Sequence, residues 1–302
     1  MGPRARHTLA LIFVFVAAQL PAQTRPVRVL FLGNSLTAGN DVPGLVQAMA
    51  EFHGVTIQYA AVAPGGYAIE DHWRDGNQRL LESGNYDVLV LQQGPSTLLD
   101  SQSNLREWSI AWASFARRLR VRTALYMIWP VRTQANGFEL VSLSYRNAAT
   151  AADAAIFPAG EAWQRALRAN PSLGLYQSDD LHATPAGSFL AAMVIARGLV
   201  GLDPARVPAT VRGVTVPAAT LATFRGVVES MPPSTLSALD SAETPAPDSP
   251  AQAPATPTPA PVTTPVTASG GGGGGAPSVW FLLALLAAGT GRWLQRRAFP
   301  RV

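Results

Sequence analysis

Three residues of this chain have the types and the spacing needed for a nucleophilic centre. Ser35 follows Gly33 and Asn34 directly after a buried apolar run, and Asp179 and His182 share one short Asp-x-x-His loop. A serine hydroxyl becomes a good nucleophile only when a base removes its proton. Histidine is such a base near neutral pH, and a carboxylate fixes its tautomer. We therefore expect Ser35 to be the nucleophile, His182 the base and Asp179 its orienting group.

Each part of this pattern has a simpler interpretation. A serine after a strand often does no more than cap the next helix, so Ser35 alone is a weak signal. Asp179 and His182 could belong to a solvated loop in which the aspartate caps a helix. Because both motifs occur in one chain, in positions that a sheet could bring together, the catalytic interpretation is favoured.

Alternating strands and helices are expected to position these residues. Apolar runs predict strands at residues 27–32, 55–62, 87–91 and 124–129, with a short fifth strand at 156–157. Helices are predicted at residues 42–53, 105–120, 139–152 and 185–198, the last capped by Thr184. This alternation predicts a parallel sheet flanked by helices on both faces, with functional loops at the carboxyl ends of the strands.

The order of the motifs resembles that of the SGNH/GDSL hydrolases, a family of serine esterases. The resemblance rests on Gly-Asn-Ser-Leu at residues 33–36, on glycine-bearing second and third loops, and on Asp-x-x-His before a final helix. It covers residues 27–199 and implies a flavodoxin-like three-layer α/β/α sandwich with a central parallel sheet, a catalytic triad and no cofactor. Asn34 replaces the usual aspartate of the family, a change that should not abolish activity because the residue is not the nucleophile.

Ester hydrolysis also requires an oxyanion hole, since negative charge develops on the substrate oxygen in the transition state. The resemblance implies three donors: the backbone amide of the serine, a glycine amide in the second loop and a side chain in the third. The first two are expected to be the amides of Ser35 and Gly65, with Gly66 as the alternative to Gly65. Either glycine could equally serve only to form a tight turn.

The third loop departs from the family pattern. It reads Gln92-Gln93-Gly94-Pro95-Ser96, with Ser96 where the family usually has asparagine. The third donor could therefore be Gln92, Gln93 or Ser96. The Gln-Gly pair is similar to that of carbohydrate acetylesterases whose third block reads Gln-Gly-Glu.

The other histidines are interpreted as non-catalytic. His7 lies in a predicted export signal, and His53 is expected at a helix C-terminus, where it interacts favourably with the helix dipole. His72 is expected at the surface, with a place in the substrate cleft as the alternative. With no cysteine and no paired histidine spacing, neither a metal site nor a disulfide is expected.

Both ends of the chain are interpreted as targeting segments. Residues 1–22 combine Arg4 and Arg6 with an apolar run and small residues near Ala22, as in a secretory signal peptide, with Ala18 as the alternative cleavage position. Residues 23–235 are then the hydrolase domain, and residues 236–275 are a linker rich first in proline, alanine and threonine and then in glycine.

Residues 276–302 contain an apolar run followed by arginines, which predicts a membrane-inserted tail with its basic end in the cytoplasm. With the preceding glycine run, this tail resembles the GlyGly-CTERM sorting signal of Gram-negative bacteria. That resemblance implies processing by an intramembrane protease; an ordinary C-terminal anchor is the alternative. Both interpretations predict an exported protein that is periplasmic, cell-surface or secreted and at least transiently anchored.

The charge distribution argues against nucleic-acid binding. The formal net charge is +4, but without the six arginines of the two terminal segments 17 arginines face 19 acidic residues. The central domain therefore lacks the basic surface that phosphate backbones require. A phosphate-binding first loop is also disfavoured, because no arginine or lysine lies between Ser35 and Arg74.

We expect an exported serine esterase whose substrate is a small-molecule or glycan ester, preferably an O-acetylated carbohydrate. A lipid ester or a thioester is the nearest alternative. The alternative from another class of function is a surface glycan-binding module with the same fold and little turnover. The altered third loop is the feature that supports this alternative.

Overall fold

A parallel sheet of five strands forms the centre of the protein. The computed structural model describes residues 25–232 and Leu236. The strands are β1 Val27–Leu32, β2 Ile57–Val62, β3 Val88–Leu91, β4 Arg122–Met127 and β5 Ala155–Pro158, in the spatial order β2-β1-β3-β4-β5. All four pairings are parallel. The predicted parallel sheet, including its short fifth strand, is confirmed.

Helices cover both faces of this sheet. They are α1 Ser35–Ala38, α2 Val42–Glu51, α3 Ile69–Arg74, α4 Gln78–Gly84, α5 Leu99–Arg118, α6 Gly137–Ala152, α7 Ala159–Ala169, α8 Pro185–Val200 and α9 Ala218–Glu229. Helix α2 packs against α8, and α5 packs against α6, which gives the two outer layers. The predicted α/β/α sandwich is therefore confirmed.

The core lies between these layers and includes most residues of β1, β3 and β4, whereas only Ile57 of the edge strand β2 is buried. In β1 and β3 the four residues of each central run are at most 1% exposed, which explains why the sequence shows continuous apolar runs rather than alternation. Trp129 is fully buried, and its ring stacks on Trp163 at a centroid distance of 3.7 Å.

The strand order reverses direction around β1. The chain moves from β1 outward to β2, then crosses β1 to reach β3 and continues to β5. Loops that follow strands on the two sides of such a switch point diverge and leave a crevice at the carboxyl edge of the sheet. The loops after β1, β2 and β3 contain Ser35, Gly65 and Gln92 respectively.

Several elements were not predicted from the sequence. Helix α5 begins at Leu99, six residues before the predicted start, because its first turn is polar and gives no apolar periodicity. Helices α3, α4, α7 and α9 and a small antiparallel hairpin, β6 Thr210–Val211 and β7 Val214–Thr215, also lay outside the prediction.

The described part of the chain ends close to the predicted domain boundary. Helix α9 ends at Glu229, and the side chain of Leu236, the first residue of the predicted linker, is buried in the core at 4% exposure. The predicted signal peptide, the remaining linker and the apolar tail lie outside the described residues. Within the described residues, no helix has the length and apolar character needed to cross a membrane.

Candidate active site

The nucleophile turn is built from the end of β1 and the start of α1. Ser35 is the first residue of α1, and Asn34 caps it by accepting the amide of Leu36 at 3.0 Å on its side-chain oxygen. The side-chain nitrogen of Asn34 donates to the carbonyl of Tyr67 at 2.9 Å, which joins the first loop to the second. An aspartate could not make that second bond, so the structure gives asparagine a specific role here.

Gln92 lies directly beneath this turn. Its Oε1 accepts the amide of Asn34 at 2.9 Å and the hydroxyl of Thr37 at 2.7 Å, and its side chain is 1% exposed. A Cβ on Gly33 would collide with both Thr37 and Gln92, so only glycine fits at that position. Gln92 was one of the three residues predicted for the third oxyanion donor, with Gln93 and Ser96, and its Nε2 donates to the carbonyl of Gln93 at 2.6 Å. The structure thus places Gln92 as a support of the nucleophile turn.

The Asp-x-x-His loop is held in place before helix α8. The amide of Gln177 donates to the carbonyl of His182 at 2.8 Å, and Thr184 caps α8 by accepting the amide of Gly187. From the sheet side, the indole of Trp129 donates to the carbonyl of Leu181 at 2.8 Å. This loop is therefore ordered by bonds on either side of the histidine, as a positioned base requires.

Ser35, His182 and Asp179 form a hydrogen-bonded series. The Nε2 of His182 is 2.9 Å from the hydroxyl oxygen of Ser35, although the residues are 147 positions apart in the chain. The Nδ1 of His182 is 2.5 Å from Oδ2 of Asp179. With Nδ1 donating to the carboxylate, Nε2 is free to accept the serine proton. The structure thus brings the three predicted residues together.

The second carboxylate oxygen of Asp179 is also occupied. It accepts the backbone amides of Leu181 and His182 at 3.0 and 2.9 Å. Partial burial opposes ionisation of this group, but these amide bonds and the bond to His182 outweigh it and lower the pKa of Asp179. The side chains of His182 and Asp179 are 31% and 48% exposed, so the centre opens to solvent.

The second loop leaves space in front of its glycines. Gly66 has a φ of 77°, a left-handed conformation that favours glycine. A Cβ on Gly65, or on Gly94 in the third loop, would meet no atom within 4 Å. Crowding within the protein therefore does not explain why positions 65 and 94 are glycines. A bound group can approach the backbone closely at both positions.

The third loop is braced by its own side chains. The Nε2 of Gln93 donates to the hydroxyl of Ser96 at 2.9 Å, and its Oε1 accepts the amide of Ile69 at 3.3 Å from the start of α3. Ser96 has a φ of 53°, and its hydroxyl donates to the carbonyl of Gly94 at 3.1 Å. Gln93 therefore links the second and third loops.

His72 differs from its prediction. It was expected at the surface or in the cleft, but its side chain is fully buried. Its Nε2 donates to the carbonyl of Gly33 at 2.8 Å, and the side-chain amide of Asn77 donates to its Nδ1 at 3.1 Å. The surface prediction was wrong because the unpredicted helix α3 turns this residue inward beneath the nucleophile turn. Burial lowers the pKa of His72, which keeps the ring neutral.

The fold is that of the SGNH/GDSL hydrolases. A candidate SGNH hydrolase from Slackia heliotrinireducens is similar over 57% of this chain and 98% of its own, with 25% sequence identity and a TM-score of 0.50. This similarity supports an ester hydrolase. No protein-family model matches the chain, and no curated protein sequence matches it.

Two further solved structures are similar to parts of this chain. A DUF4886 family protein from Bacteroides uniformis is similar over 68% of this chain and 93% of its own, at 17% identity and a TM-score of 0.58. An acetyl xylan esterase, AlAXEase, is similar over 58% of this chain and all of its own, at 18% identity and a TM-score of 0.48. The first of these shows the fold alone, and the second has no bearing on the substrate.

Proposed function

We propose that this protein is an exported serine esterase that hydrolyses its substrate through an acyl-serine intermediate. The observation that carries the proposal is the series Asp179–His182–Ser35, with contacts of 2.5 and 2.9 Å. In that order a carboxylate orients an imidazole, and the imidazole accepts a proton from a hydroxyl.

The reaction follows in two halves. Ser35 attacks the ester carbonyl while His182 takes the hydroxyl proton at Nε2, and the resulting imidazolium is stabilised by the ionised Asp179. His182 returns the proton to the departing alcohol, which leaves an acyl group on Ser35. Water then attacks this acyl-enzyme while His182 takes its proton, and His182 gives that proton to the oxygen of Ser35 as the carbon–oxygen bond breaks and the carboxylic acid is released.

The developing oxyanion needs donors at the edge of the open space beside Ser35. We assign two of these to the backbone amides of Ser35 and Gly65, with Gly66 adjacent. The third is assigned to the side-chain amide of Gln92 or Gln93, since the Nε2 of each carries a second hydrogen beyond the one bond it makes, whereas the hydroxyl of Ser96 already donates to the carbonyl of Gly94.

An open centre favours a small acyl group on a larger alcohol. His182 and Asp179 are partly exposed, so a substrate can extend beyond the site without entering a closed pocket. An O-acetylated carbohydrate fits this geometry, and the Gln-Gly pair of the third loop agrees with it. The predicted signal peptide and C-terminal tail support a reaction outside the cytoplasm, by a protein that is periplasmic, cell-surface or secreted.

Hydrolysis of p-nitrophenyl acetate by residues 24–236 tests the proposal. We expect turnover by the wild-type domain and a loss of at least about a thousand-fold in kcat for Ser35→Ala, because the variant has no nucleophile. Ser103→Ala, at an exposed position on α5, is the matched control and should retain full activity. Acetylated oligosaccharides and longer acyl esters, compared by kcat/KM, then rank the substrate classes.

Two results would contradict the proposal. Equal rates in wild type and Ser35→Ala would exclude this serine as the nucleophile. Binding of acetylated glycans with their ester intact would instead identify a glycan-binding module of the same fold.

A further inference from the structure

The connection between α1 and α2 has an unusual backbone. Asn40 and Asp41 are consecutive residues with φ values of 53° and 51°, both in the left-handed region. This conformation is unfavourable for residues with side chains, although asparagine and aspartate tolerate it better than most. Such a pair persists only where the surrounding structure holds it, and strained segments of this kind concentrate near functional sites.

The side chain of Asn40 crosses to the loop that carries the proposed base. Its Nδ2 donates to the carbonyl of Ala183 at 3.1 Å and to the hydroxyl of Ser188 at 2.9 Å. Ala183 directly follows His182, and Ser188 lies in the first turns of α8 with 1% exposure. Both hydrogens of the amide are therefore used, and one side chain joins segments that are 143 residues apart.

Asp41 holds the connection between α1 and α2 through bonds to elements other than the His182 loop. Its carboxylate accepts the amide of Gly44 at 3.1 Å and the hydroxyl of Tyr59 at 3.3 Å, and it pairs with Arg212 at 2.8 Å. These partners belong to α2, β2 and the β6–β7 turn. The position of Asn40 is thus set by bonds of its neighbour to α2, β2 and the β6–β7 turn as well as by its own bonds.

The loop is also supported from within its own segment, where the side-chain amide of Gln177 donates to the carbonyl of Ala183 at 2.7 Å, and from the β4 side. Trp129 holds the carbonyl of Leu181, and Arg132 pairs with Asp180. Asn40 supplies a support from the segment that carries Ser35. We propose that Asn40 is a positioning residue that sets the distance between the hydroxyl of Ser35 and the imidazole of His182.

This inference rests on the proposed esterase function, because its role is to place the base. A displacement of about 1 Å at a reacting contact can reduce a rate by about a hundred-fold. Loss of the Asn40 bridge should therefore lower kcat and leave the binding of substrate, and hence KM, nearly unchanged.

Asn40→Gly is the decisive variant. Glycine adopts a φ of 53° without strain, so the backbone conformation is retained while both hydrogen bonds donated by the side chain of Asn40 are lost. We expect kcat for p-nitrophenyl acetate to fall about 10- to 100-fold with KM within about two-fold of wild type. Labelling of Ser35 by a fluorophosphonate should slow by a similar factor. Asn85→Gly, at an exposed residue with a φ of 47°, is the matched control and should change neither rate.

The same substitution in a His182→Ala protein distinguishes a positioning role of Asn40 from a general effect on protein stability. If Asn40 acts through His182, then Asn40→Gly should cause no further loss in a His182→Ala protein. Asn40→Asp, which keeps the shape but replaces the donor nitrogen with an acceptor, should resemble Asn40→Gly and provides a second variant if the first does not fold. All rates are measured well below the unfolding midpoint of each variant.

Three outcomes would overturn the inference: unchanged kcat in Asn40→Gly, a raised KM with unchanged kcat, or an equal loss in the His182→Ala background. An inactive wild-type protein that also resists the fluorophosphonate would refute the esterase proposal itself, and this inference with it. An active wild type with a fully active Asn40→Gly refutes the positioning role alone.

Discussion

At the residue scale, the nucleophile turn is supported mainly by buried polar groups. Gln92 and His72 contact Asn34 and Gly33 from beneath, and neither side chain is more than 1% exposed. Buried polar groups stabilise a fold only when their hydrogen bonds are made. A change in the protonation state of His72 should therefore change the free energy of unfolding of the protein.

The stability of the protein should therefore depend on pH through His72. Burial lowers the pKa of His72, and Asp71 and Asp75 oppose that shift only in part. The unfolded chain takes up a proton near pH 6.5 that the folded protein does not, so the free energy of unfolding should fall as the pH decreases below about 6.5, by up to about 1.4 kcal/mol per pH unit. Urea unfolding at pH 7.5, 6.5 and 5.5 measures this.

His72→Gln provides the comparison, because it removes the titrating group while His53 and His182 remain in both proteins. The variant should be less stable than wild type at pH 7.5, and the difference should narrow towards pH 5.5. A difference that stays constant with pH would show that His72 does not titrate in this way.

The sequence predicts residues at this scale unevenly. Ser35, Asp179 and His182 could be found because motif order and residue chemistry identify them without distances. The support given by Gln92 and the bridge made by Asn40 could not, because each is a side-chain bond between segments far apart in the chain. The burial of His72 could not be predicted either, because helix α3, which turns it inward, was not predicted.

At the element scale, close approach between a helix and a strand end fixes where the layers sit. Helix α7 begins beside the end of β4, and a Cβ on Gly160 would collide with the backbone carbonyl of Ile128. A backbone atom cannot rotate away as a flexible side chain can. Gly226, on the exposed face of α9, has no atom within 4 Å of a Cβ.

Two glycine substitutions should accordingly have opposite effects on stability. Gly160→Ala should lower the free energy of unfolding by about 1 to 3 kcal/mol, because α7 must move away from β4. Gly226→Ala should raise it by about 0.5 to 1 kcal/mol, because alanine favours a helix and has room there. Chemical denaturation of both variants checks this, and a stabilised Gly160→Ala would show that the packing is looser than described.

Elements were predicted well where an apolar run is continuous or has clear boundary signals at its ends. All five strands and α8 meet that condition, and each was found near its predicted position. Helices α3 and α4 have six and seven residues, too few for a periodic pattern, and the polar start of α5 concealed its first turn. These helices are stabilised by packing against neighbouring elements, and the local sequence pattern does not reveal that packing.

At the scale of the whole molecule, the fold brings two distant segments to one edge of the sheet. Ser35 follows β1 at the point where the strand order reverses, and the His182 loop reaches it from the start of α8. The terminal segments lie outside the described residues, so export and anchoring remain proposals based on sequence. The central claim is that this arrangement activates Ser35 alone among the serines of the chain.

The most direct test is to treat the protein with a fluorophosphonate and identify the modified residue by peptide mapping. We predict one adduct, on Ser35, that is lost in His182→Gln and retained in His53→Gln, the matched control away from the series. An adduct on another serine, or labelling of Ser35 that does not depend on His182, would contradict the account.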